Sequence, residues 1–145
     1  MTVDLMVTET PDDEGRAAIE EGLVRFNARH IGMRDTRHLS VLIRDGATGR
    51  PTGGLWGKTS RGWLVIELLF VPEDRRGAGL GASLVRAAED AAEKRGCHGA
   101  RVETYDFQAR GFYEKLGYHV FGVLDDCPTG HAFYALQRRL EPRRA

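Results

Sequence analysis

The chain has 145 residues, which suits one ordinary domain with a real hydrophobic core but is too short for two. Its formal net charge is zero, so no global electrostatic field favours nucleic acid or an anionic membrane as a partner. The longest apolar run, residues 63–71, is too short to cross a bilayer, and the cysteines and histidines lack metal-ligand spacing. We therefore expect a cytoplasmic protein with free thiols, no metal site and any anionic ligand held locally.

The front half of the chain predicts a strand, a helix and an antiparallel meander, in that order. A short strand is expected over residues 3–8, followed by a helix that opens with the acidic PDDE segment and ends near Gly32. HLSVLIRD and, after GATGRPTG, GLWGKTSRGWLVIELLFV are β-rich segments separated by glycine and proline turns. The last strand is apolar on both faces, which predicts a central position in the sheet.

The back half predicts alternating helix and strand. Residues 77–95 carry an apolar stripe at helical spacing, and Gly96 is placed to end that helix. GARVETY is expected to be a strand, DFQARGFYEKLG a short helix capped by Asp106 and stopped by Gly117, and YHVFGVLDD and HAFYALQRRL a final pair of strands. After an antiparallel start, this order predicts an α/β (α+β) fold with a mixed, mostly antiparallel sheet in a single domain, residues 1–145.

The segment FVPEDRRGAGLG places glycines at alternate positions between the most hydrophobic strand and a helix. One interpretation is a tight strand-to-helix connection whose glycines serve packing alone. A dinucleotide-binding loop needs G-x-G-x-x-G, whereas position 82 is alanine, and two βαβαβ halves do not fit beside the antiparallel strands. A P-loop is excluded because no GK[ST] follows. The third interpretation is a phosphate cradle, in which glycines let the main chain approach an anion at a helix N-terminus.

A resemblance to a known family favours the phosphate cradle. RGAGLG, residues 76–81, resembles the R/Q-x-x-G-x-G/A signature of the GNAT superfamily of acyl-CoA N-acyltransferases. The preceding LLFVPED resembles the family's fourth strand, LVRAAEDAAEKRGC its third helix, and DFQARGFYEKLGY its second hallmark, A-x-x-F-Y-E-K-x-G-Y. The similarity covers about residues 63–140, and the order of elements in the front half also matches. It implies a GNAT-like domain whose central sheet, flanked by helices, splays between strands 4 and 5.

The resemblance implies that acetyl-CoA lies in that splay. The backbone of residues 69–71 would pair with the pantetheine arm, and one of its N–H groups would polarise the thioester carbonyl. The glycine loop would bind the pyrophosphate, with added charge from Arg75 and Arg76. Many relatives carry asparagine where this chain has Asp106, so either Asp106 or Gln108 and backbone is expected to contact the cofactor. The predicted cofactor-binding residues are Leu69, Phe70, Val71, Arg75, Arg76, Gly77, Ala78, Gly79, Leu80, Gly81, Ala82, Asp106, Gln108 and Phe112.

Two side chains are candidates for catalysis. Glu67 is the one charged residue in the apolar run, where a structural ion pair competes with a role in accepting a proton from substrate ammonium, often through water. Glu103, on the neighbouring strand, is the second candidate for that role. Tyr113 occupies the family's tyrosine position, where the phenol donates a proton or hydrogen bond to the leaving thiolate. Packing in the core beside Phe112 is the alternative for Tyr113.

The resemblance implies transfer of an acetyl group from acetyl-CoA to a primary amine of a small molecule or protein, by direct attack in a ternary complex. Residues 27–38 and the segment DDCPTG are expected to shape the acceptor site, and the C-terminal strands are expected to tolerate a homodimer interface. A transferase of a longer acyl group is one alternative. A non-catalytic acyl-CoA-binding or regulatory module that kept the glycine loop is another, and thioester turnover with a panel of amines would distinguish it.

Overall fold

Three α-helices and six strands form within residues 2–143, the part of the chain that this computed structural model describes. The elements are α1 Asp13–Ile31, β1 Arg37–Arg44, β2 Pro51–Ser60, β3 Trp63–Phe70, a 3-10 turn Glu73–Arg75, α2 Leu80–Lys94, β4 Gly99–Tyr105, α3 Arg110–Lys115, β5 His119–Asp125 and β6 Ala132–Arg139. They fall into two compact units, residues 1–34 and residues 35–145. The single domain predicted over residues 1–145 stays a prediction.

The first unit contains α1, which confirms the helix predicted there. The side chain of Asp12 accepts a hydrogen bond of 2.9 Å from the Gly15 N–H and so caps the first turn. Gly32 ends the helix with a φ of 81°, which favours glycine. The strand predicted over residues 3–8 is wrong: these residues form no regular structure, and the apolar side chains of Val3 and Leu5 are exposed. Alternation of apolar residues does not make a strand where no neighbouring strand completes a ladder.

The second unit is built on a six-stranded sheet in the order β1-β2-β3-β4-β6-β5. Only β3 and β4 pair in parallel, and the other neighbours are antiparallel, so the mixed, mostly antiparallel sheet is confirmed. β3 is central, as its apolar composition predicted. Because no strand forms over residues 3–8, the fourth and fifth strands of the sequence prediction are β3 and β4 here.

Helix α2 covers the first strands of this sheet and completes the hydrophobic core. Its apolar stripe is buried at Leu84, Ala88 and Ala92, and α2 contacts β1, β2 and β3. The largest fully enclosed side chains of the core come from the sheet and α2; they are Leu55, Leu64, Val85 and Leu136. Burial of this apolar surface fixes α2, and with it the loop before α2, relative to the end of β3.

Helix α2 starts at Leu80, three residues later than predicted, because Gly77 and Gly79 both have positive φ angles and cannot belong to a right-handed helix. No helix within residues 2–143 is long and apolar enough to cross a membrane. Within the same range, no group of three or more His, Cys, Asp or Glu side chains is placed to hold a metal ion. Both cysteines, Cys97 and Cys127, are free thiols.

Candidate functional site

The sheet opens between β3 and β4. These strands pair only from Trp63 opposite Gly99 to Ile66 opposite Val102, although both continue beyond that point. Glu67 follows directly and is the extra residue of a β-bulge, since the register between β2 and β3 shifts there. The last residues of β3 therefore have β2 on one side and no strand on the other. Such an edge is a template for an extended ligand that pairs through backbone hydrogen bonds.

A cavity of about 670 Å³ lies beside this open edge. It is bounded by the end of β3, the glycine loop, the first turn of α2, and α3. Its lining residues are Leu69, Phe70, Val71, Arg75, Arg76, Gly77, Gly79, Leu80, Gly81, Ala82, Gln108, Ala109, Phe112, Lys115 and Leu116. All the predicted cofactor-binding residues are among them except Ala78 and Asp106. Sequence reasoning missed Ala109, Lys115 and Leu116, although all three belong to the second hallmark, A-x-x-F-Y-E-K-x-G-Y.

The glycine loop presents main-chain N–H groups to this cavity. Gly77 and Gly79 have φ angles of 86° and 77°, and a Cβ at either position would meet no atom within 4 Å. Glycine is therefore favoured at these two positions by the positive φ angle, and not by close packing against a neighbouring side chain. Gly79 is the N-cap of α2 without a side-chain cap, and its carbonyl accepts the first helical hydrogen bond, from the Ser83 N–H. The N–H groups between Gly79 and Ser83 have no intrahelical acceptor, which is the arrangement that binds anions.

Gly81, unlike Gly77 and Gly79, has a close packing neighbour. A Cβ on Gly81 would lie 3.2 Å from the ring of Phe112 and 3.8 Å from a methyl group of Val71. The closest neighbour is thus an aromatic ring of α3, and the approach of Gly81 to a phosphate stays a prediction. The glycine lets Phe112 pack against the first turn of α2, which closes one side of the cavity.

The two arginines of the loop differ in their contacts. Arg76 donates from Nε to the carbonyl of Val71 at 2.8 Å, and its guanidinium lies 5.6 Å from the ring centre of Phe70. The Val71 carbonyl is therefore already engaged within the chain. Arg75 is exposed and forms a 3.9 Å ion pair with Asp74. Both arginines line the cavity and place positive charge beside the glycine loop.

Tyr113 is buried in the turn of α3, with 3 % of its surface exposed. Its ring packs edge-on against Phe112 and Tyr118, with centroids 5.0 and 5.5 Å away. The Tyr113 hydroxyl makes no hydrogen bond to another described residue. In the described part of the chain, every side-chain nitrogen or oxygen that is fully enclosed has a hydrogen-bond partner, so the Tyr113 oxygen is not fully enclosed. Burial raises the pKa of the Tyr113 phenol above its ordinary value. The phenol is thus kept protonated at neutral pH.

Asp106 does not cap α3, which corrects the sequence prediction. The helix begins at Arg110, and its N-cap is Ala109. Both oxygens of Asp106 are used at the start of β6: one accepts the Ala132 N–H at 2.8 Å, and the other lies 2.8 Å from Nδ1 of His131. The Ala132 N–H, followed by the His131 hydrogen bond, lowers the pKa of this carboxyl. Asp106 is absent from the cavity wall because these long-range partners hold it.

Gln108 and Thr104 arrange the segment before α3 instead. The side-chain oxygen of Gln108 accepts the Tyr105 N–H at 3.1 Å, and the Thr104 hydroxyl accepts the Ala109 N–H at 3.2 Å. Gln108 also lines the cavity, so it lies where the sequence placed an alternative cofactor contact.

Glu67 lies at the point where β3 and β4 separate. Glu67 is exposed, because it lies at the bulge where β3 leaves β4 and loses its neighbour on that side. No ion pair of Glu67 forms within residues 2–143, so the structural ion pair weighed for it is not found there. Glu103, the second candidate, is also exposed on β4.

Comparison with known proteins decides the family. The sequence model of the acetyltransferase (GNAT) family matches residues 3–118. This chain belongs to the GNAT acetyltransferase family. It is 38 % identical to an acetyltransferase of Agrobacterium fabrum over 94 % of this chain and 99 % of that protein. It is 44 % identical to the blasticidin-S acetyltransferase of Streptomyces morookaense over 77 % of this chain and 85 % of that protein.

The fold agrees with this assignment. The crystal structure of an acetyltransferase from Agrobacterium tumefaciens superposes with a TM-score of 0.89 at 38 % identity, covering 95 % of this chain and 100 % of that one. The resemblance stated from the two sequence hallmarks is thus confirmed, as is the splayed α/β sheet flanked by helices. The chain is an acetyl-CoA-dependent acyltransferase.

Proposed function

We propose that this GNAT acetyltransferase transfers the acetyl group of acetyl-CoA to a primary amine by direct attack in a ternary complex. The observation that carries the proposal is the single cavity that joins the open edge of β3 to the glycine loop at the start of α2. Acetyl-CoA needs an extended groove for pantetheine and N–H donors for pyrophosphate, and this cavity offers both. Arg75, Arg76 and Lys115 add positive charge around it, so an overall neutral chain can bind a polyanion.

The backbone at the end of β3 prepares the thioester for attack. Acetyl-CoA supplies the thioester, and the amine nitrogen attacks its carbonyl carbon, so negative charge develops on the carbonyl oxygen. A main-chain N–H near the end of β3, on the edge that β4 leaves open, donates a hydrogen bond to that oxygen. Such a preorganised donor contributes about 3 kcal/mol to catalysis.

Tyr113 supplies the proton for the leaving group. When the carbon–sulfur bond breaks, its electron pair stays on sulfur, and the phenol transfers its proton to that thiolate. Solvent then reprotonates the phenolate. Burial raises the pKa of Tyr113, so the phenol still carries its proton when the carbon–sulfur bond breaks. No described residue accepts a hydrogen bond from this hydroxyl, which leaves it ready to donate to sulfur.

Glu67 accepts the proton of the incoming ammonium, through water. Its position at the bulge puts the carboxylate beside the point where β3 and β4 part, and its exposure gives it contact with solvent. Glu67→Gln keeps the size of the side chain and removes the base. We expect kcat to fall by about tenfold with the affinity for acetyl-CoA unchanged. A wild-type kcat in this variant would transfer the role to Glu103 or to water alone.

The acceptor is proposed to be an amine of a small molecule. A relative at 44 % identity is named for its action on blasticidin S, a small-molecule acceptor, and this favours the small-molecule class over a protein. We further propose a cytoplasmic homodimer, supported by the free thiols and by the exposed apolar residues Phe121 and Val123 on β5.

The test is release of free thiol from acetyl-CoA with a panel of primary amines, including blasticidin S. The expected result is amine-dependent turnover that Tyr113→Phe slows without weakening acetyl-CoA binding. Propionyl-CoA and butyryl-CoA in the same assay separate an acetyltransferase from a transferase of longer acyl groups. Binding of acetyl-CoA in calorimetry, without turnover for any amine, would favour the non-catalytic binding module instead.

A further inference from the structure

A buried carboxylate on α2 is not used by the proposed reaction. Glu89 has only 3 % of its surface exposed. Its Oε2 accepts a 2.7 Å hydrogen bond from the Tyr118 hydroxyl, and its Oε1 accepts from Arg86 at 2.7 Å and lies 3.2 Å from a guanidinium nitrogen of Arg138. A well-packed apolar side chain is often as stabilising as such a buried ion pair. Stability alone therefore does not account for this cluster.

The cluster is tied to the main chain of Tyr113. Arg86 donates from its second terminal nitrogen to the carbonyl of Leu116, the C-cap of α3, at 3.0 Å. The N–H groups of Leu116 and Tyr118 both donate to the carbonyl of Tyr113, at 3.0 and 3.1 Å. Leu116, which Arg86 holds, and Tyr118, which Glu89 holds, are thus both hydrogen-bonded to the main chain of Tyr113.

The same cluster also touches the ring of Tyr113. Tyr118 packs edge-on against it, with centroids 5.5 Å apart and ring planes at 66°. Burial, followed by the charge of Glu89 and its hydrogen bond, raises the pKa of Tyr118, so its hydroxyl remains a donor to the carboxylate. The direction of the Tyr118 ring is thereby fixed at both ends, by Glu89 and by the backbone.

Helix α3 depends on such contacts for its orientation. It has six residues and no side-chain N-cap, and a helix of that length is not stable in isolation. Phe112 packs α3 against the first turn of α2 at Gly81. Arg86 and Glu89, on later turns of α2, hold the C-terminal end of α3. Helix α2 thus determines both the position of the N–H groups at the glycine loop and the position of α3.

We propose that Glu89 and Tyr118 are positioning residues for Tyr113. By fixing the end of α3 and the edge of the tyrosine ring, they hold the phenol oxygen where the sulfur of acetyl-CoA is released. The inference rests on the proposed role of Tyr113 as the acid. Misplacement of a reacting group by about 1 Å can reduce a rate by about 100-fold, so a loss of this support should appear in kcat.

The experiment is a double-mutant cycle in kcat between Tyr118→Phe and Tyr113→Phe, with acetyl-CoA and acceptor saturating and chemistry shown to be rate-limiting. Tyr118→Phe removes one oxygen atom, the donor to Glu89. We expect kcat to fall by about tenfold while KM for acetyl-CoA changes less than about threefold. In the Tyr113→Phe background, Tyr118→Phe should have no further effect beyond about twofold, because the group that it positions is already gone.

Thr59→Val is the matched control. It removes another buried hydrogen bond, the 3.1 Å contact from Arg95, at the opposite end of β3 from the open edge. We expect a lower Tm with wild-type kcat. If Tyr118→Phe does not fold, Arg86→Met replaces it, since Arg86 is half exposed and its loss should give the same decrease and the same non-additivity with Tyr113→Phe.

The outcomes separate the two claims. Suppose that Tyr113→Phe is slow. The positioning role would then be overturned if Tyr118→Phe had a wild-type kcat. It would also be overturned if the two decreases in kcat multiplied in the double variant. A wild-type kcat in Tyr113→Phe would instead overturn the proposed acid. The cycle supports the inference only when both single variants are slow and the double variant is no slower than Tyr113→Phe.

Discussion

Replacement of Gly79 by glutamate should weaken acetyl-CoA binding through charge alone, with Gly79→Gln as the matched control. Gly79 has a φ of 77°, so either side chain is strained there by about 1–2 kcal/mol, and this strain is common to both variants. Neither Cβ meets an atom within 4 Å, so steric contact does not separate the variants. Only glutamate places a negative charge on the cavity wall at the N-terminus of α2.

The size of the effect follows from Coulomb's law. Two unit charges about 5 Å apart repel by about 0.8 kcal/mol in bulk water and by about 3 kcal/mol at an effective dielectric constant of about 20. The partly open cavity lies between these limits. We therefore expect the glutamate variant to bind acetyl-CoA at least about tenfold more weakly than the glutamine variant, a difference of about 1.4 kcal/mol.

Calorimetry of acetyl-CoA binding at two salt concentrations tests this expectation. The gap between the two variants should narrow at high salt, since the screening length falls to about 3 Å at 1 M. Thermal unfolding without ligand should show the glutamate variant at least as stable as the glutamine variant, because they share the backbone strain and a carboxylate is favourable at a helix N-terminus. Equal Kd values for the glutamate and glutamine variants at low salt would refute the placement of the pyrophosphate at this helix.

Three further predictions concern the cavity and its surroundings. Gly81→Ala places a methyl group 3.2 Å from the Phe112 ring. We therefore expect a severalfold higher KM for acetyl-CoA and a decrease of about 1 kcal/mol in the free energy of unfolding. Wild-type values of both quantities would contradict this packing. Lys115→Gln should weaken acetyl-CoA binding a few-fold at low salt and much less at high salt, and a salt-independent loss measured by calorimetry would argue against a charge contact. The pKa of Asp106 is lowered in the folded state, so its stabilisation is present above the unfolded value of about 3.9 and is lost as pH falls through the folded value. Asp106→Asn should therefore have a lower Tm than wild type at pH 7 and the same Tm at strongly acidic pH, whereas equal Tm values at pH 7 would contradict this role.

The local features of the site were readable in the sequence. The glycine loop, the apolar stripe of α2 and the second hallmark each depend on residues close together in the chain, and they led to the family, to the central position of β3 and to most of the cavity wall. Gly77 and Gly79 could be assigned to a loop that approaches a ligand because backbone freedom is a property of the residue itself. Lys115 was also within a quoted motif, and its charge beside a predicted phosphate site was the signal that could have identified it.

Features that depend on distant partners were decided by the tertiary structure. Glu67 stands in an apolar run of the sequence, but the bulge and the departure of β4 expose it. Asp106 had the sequence position of a helix cap, but Ala132 and His131, which follow it by 25 residues or more, take both of its oxygens.

The cluster around Glu89 also depends on residues that are distant in sequence. In sequence, Glu89 lies at helical spacing from the apolar Val85 and Ala92, but the sequence does not say which groups would pair with its charge. Burial and the Tyr118 hydroxyl, 29 residues away, give it a defined place next to Tyr113. Composition and local spacing determine which segments form helices, strands and anion-binding loops, since those preferences are short-range. Which polar groups share a buried site depends on long-range packing, and only the folded sheet with its helices brings them together.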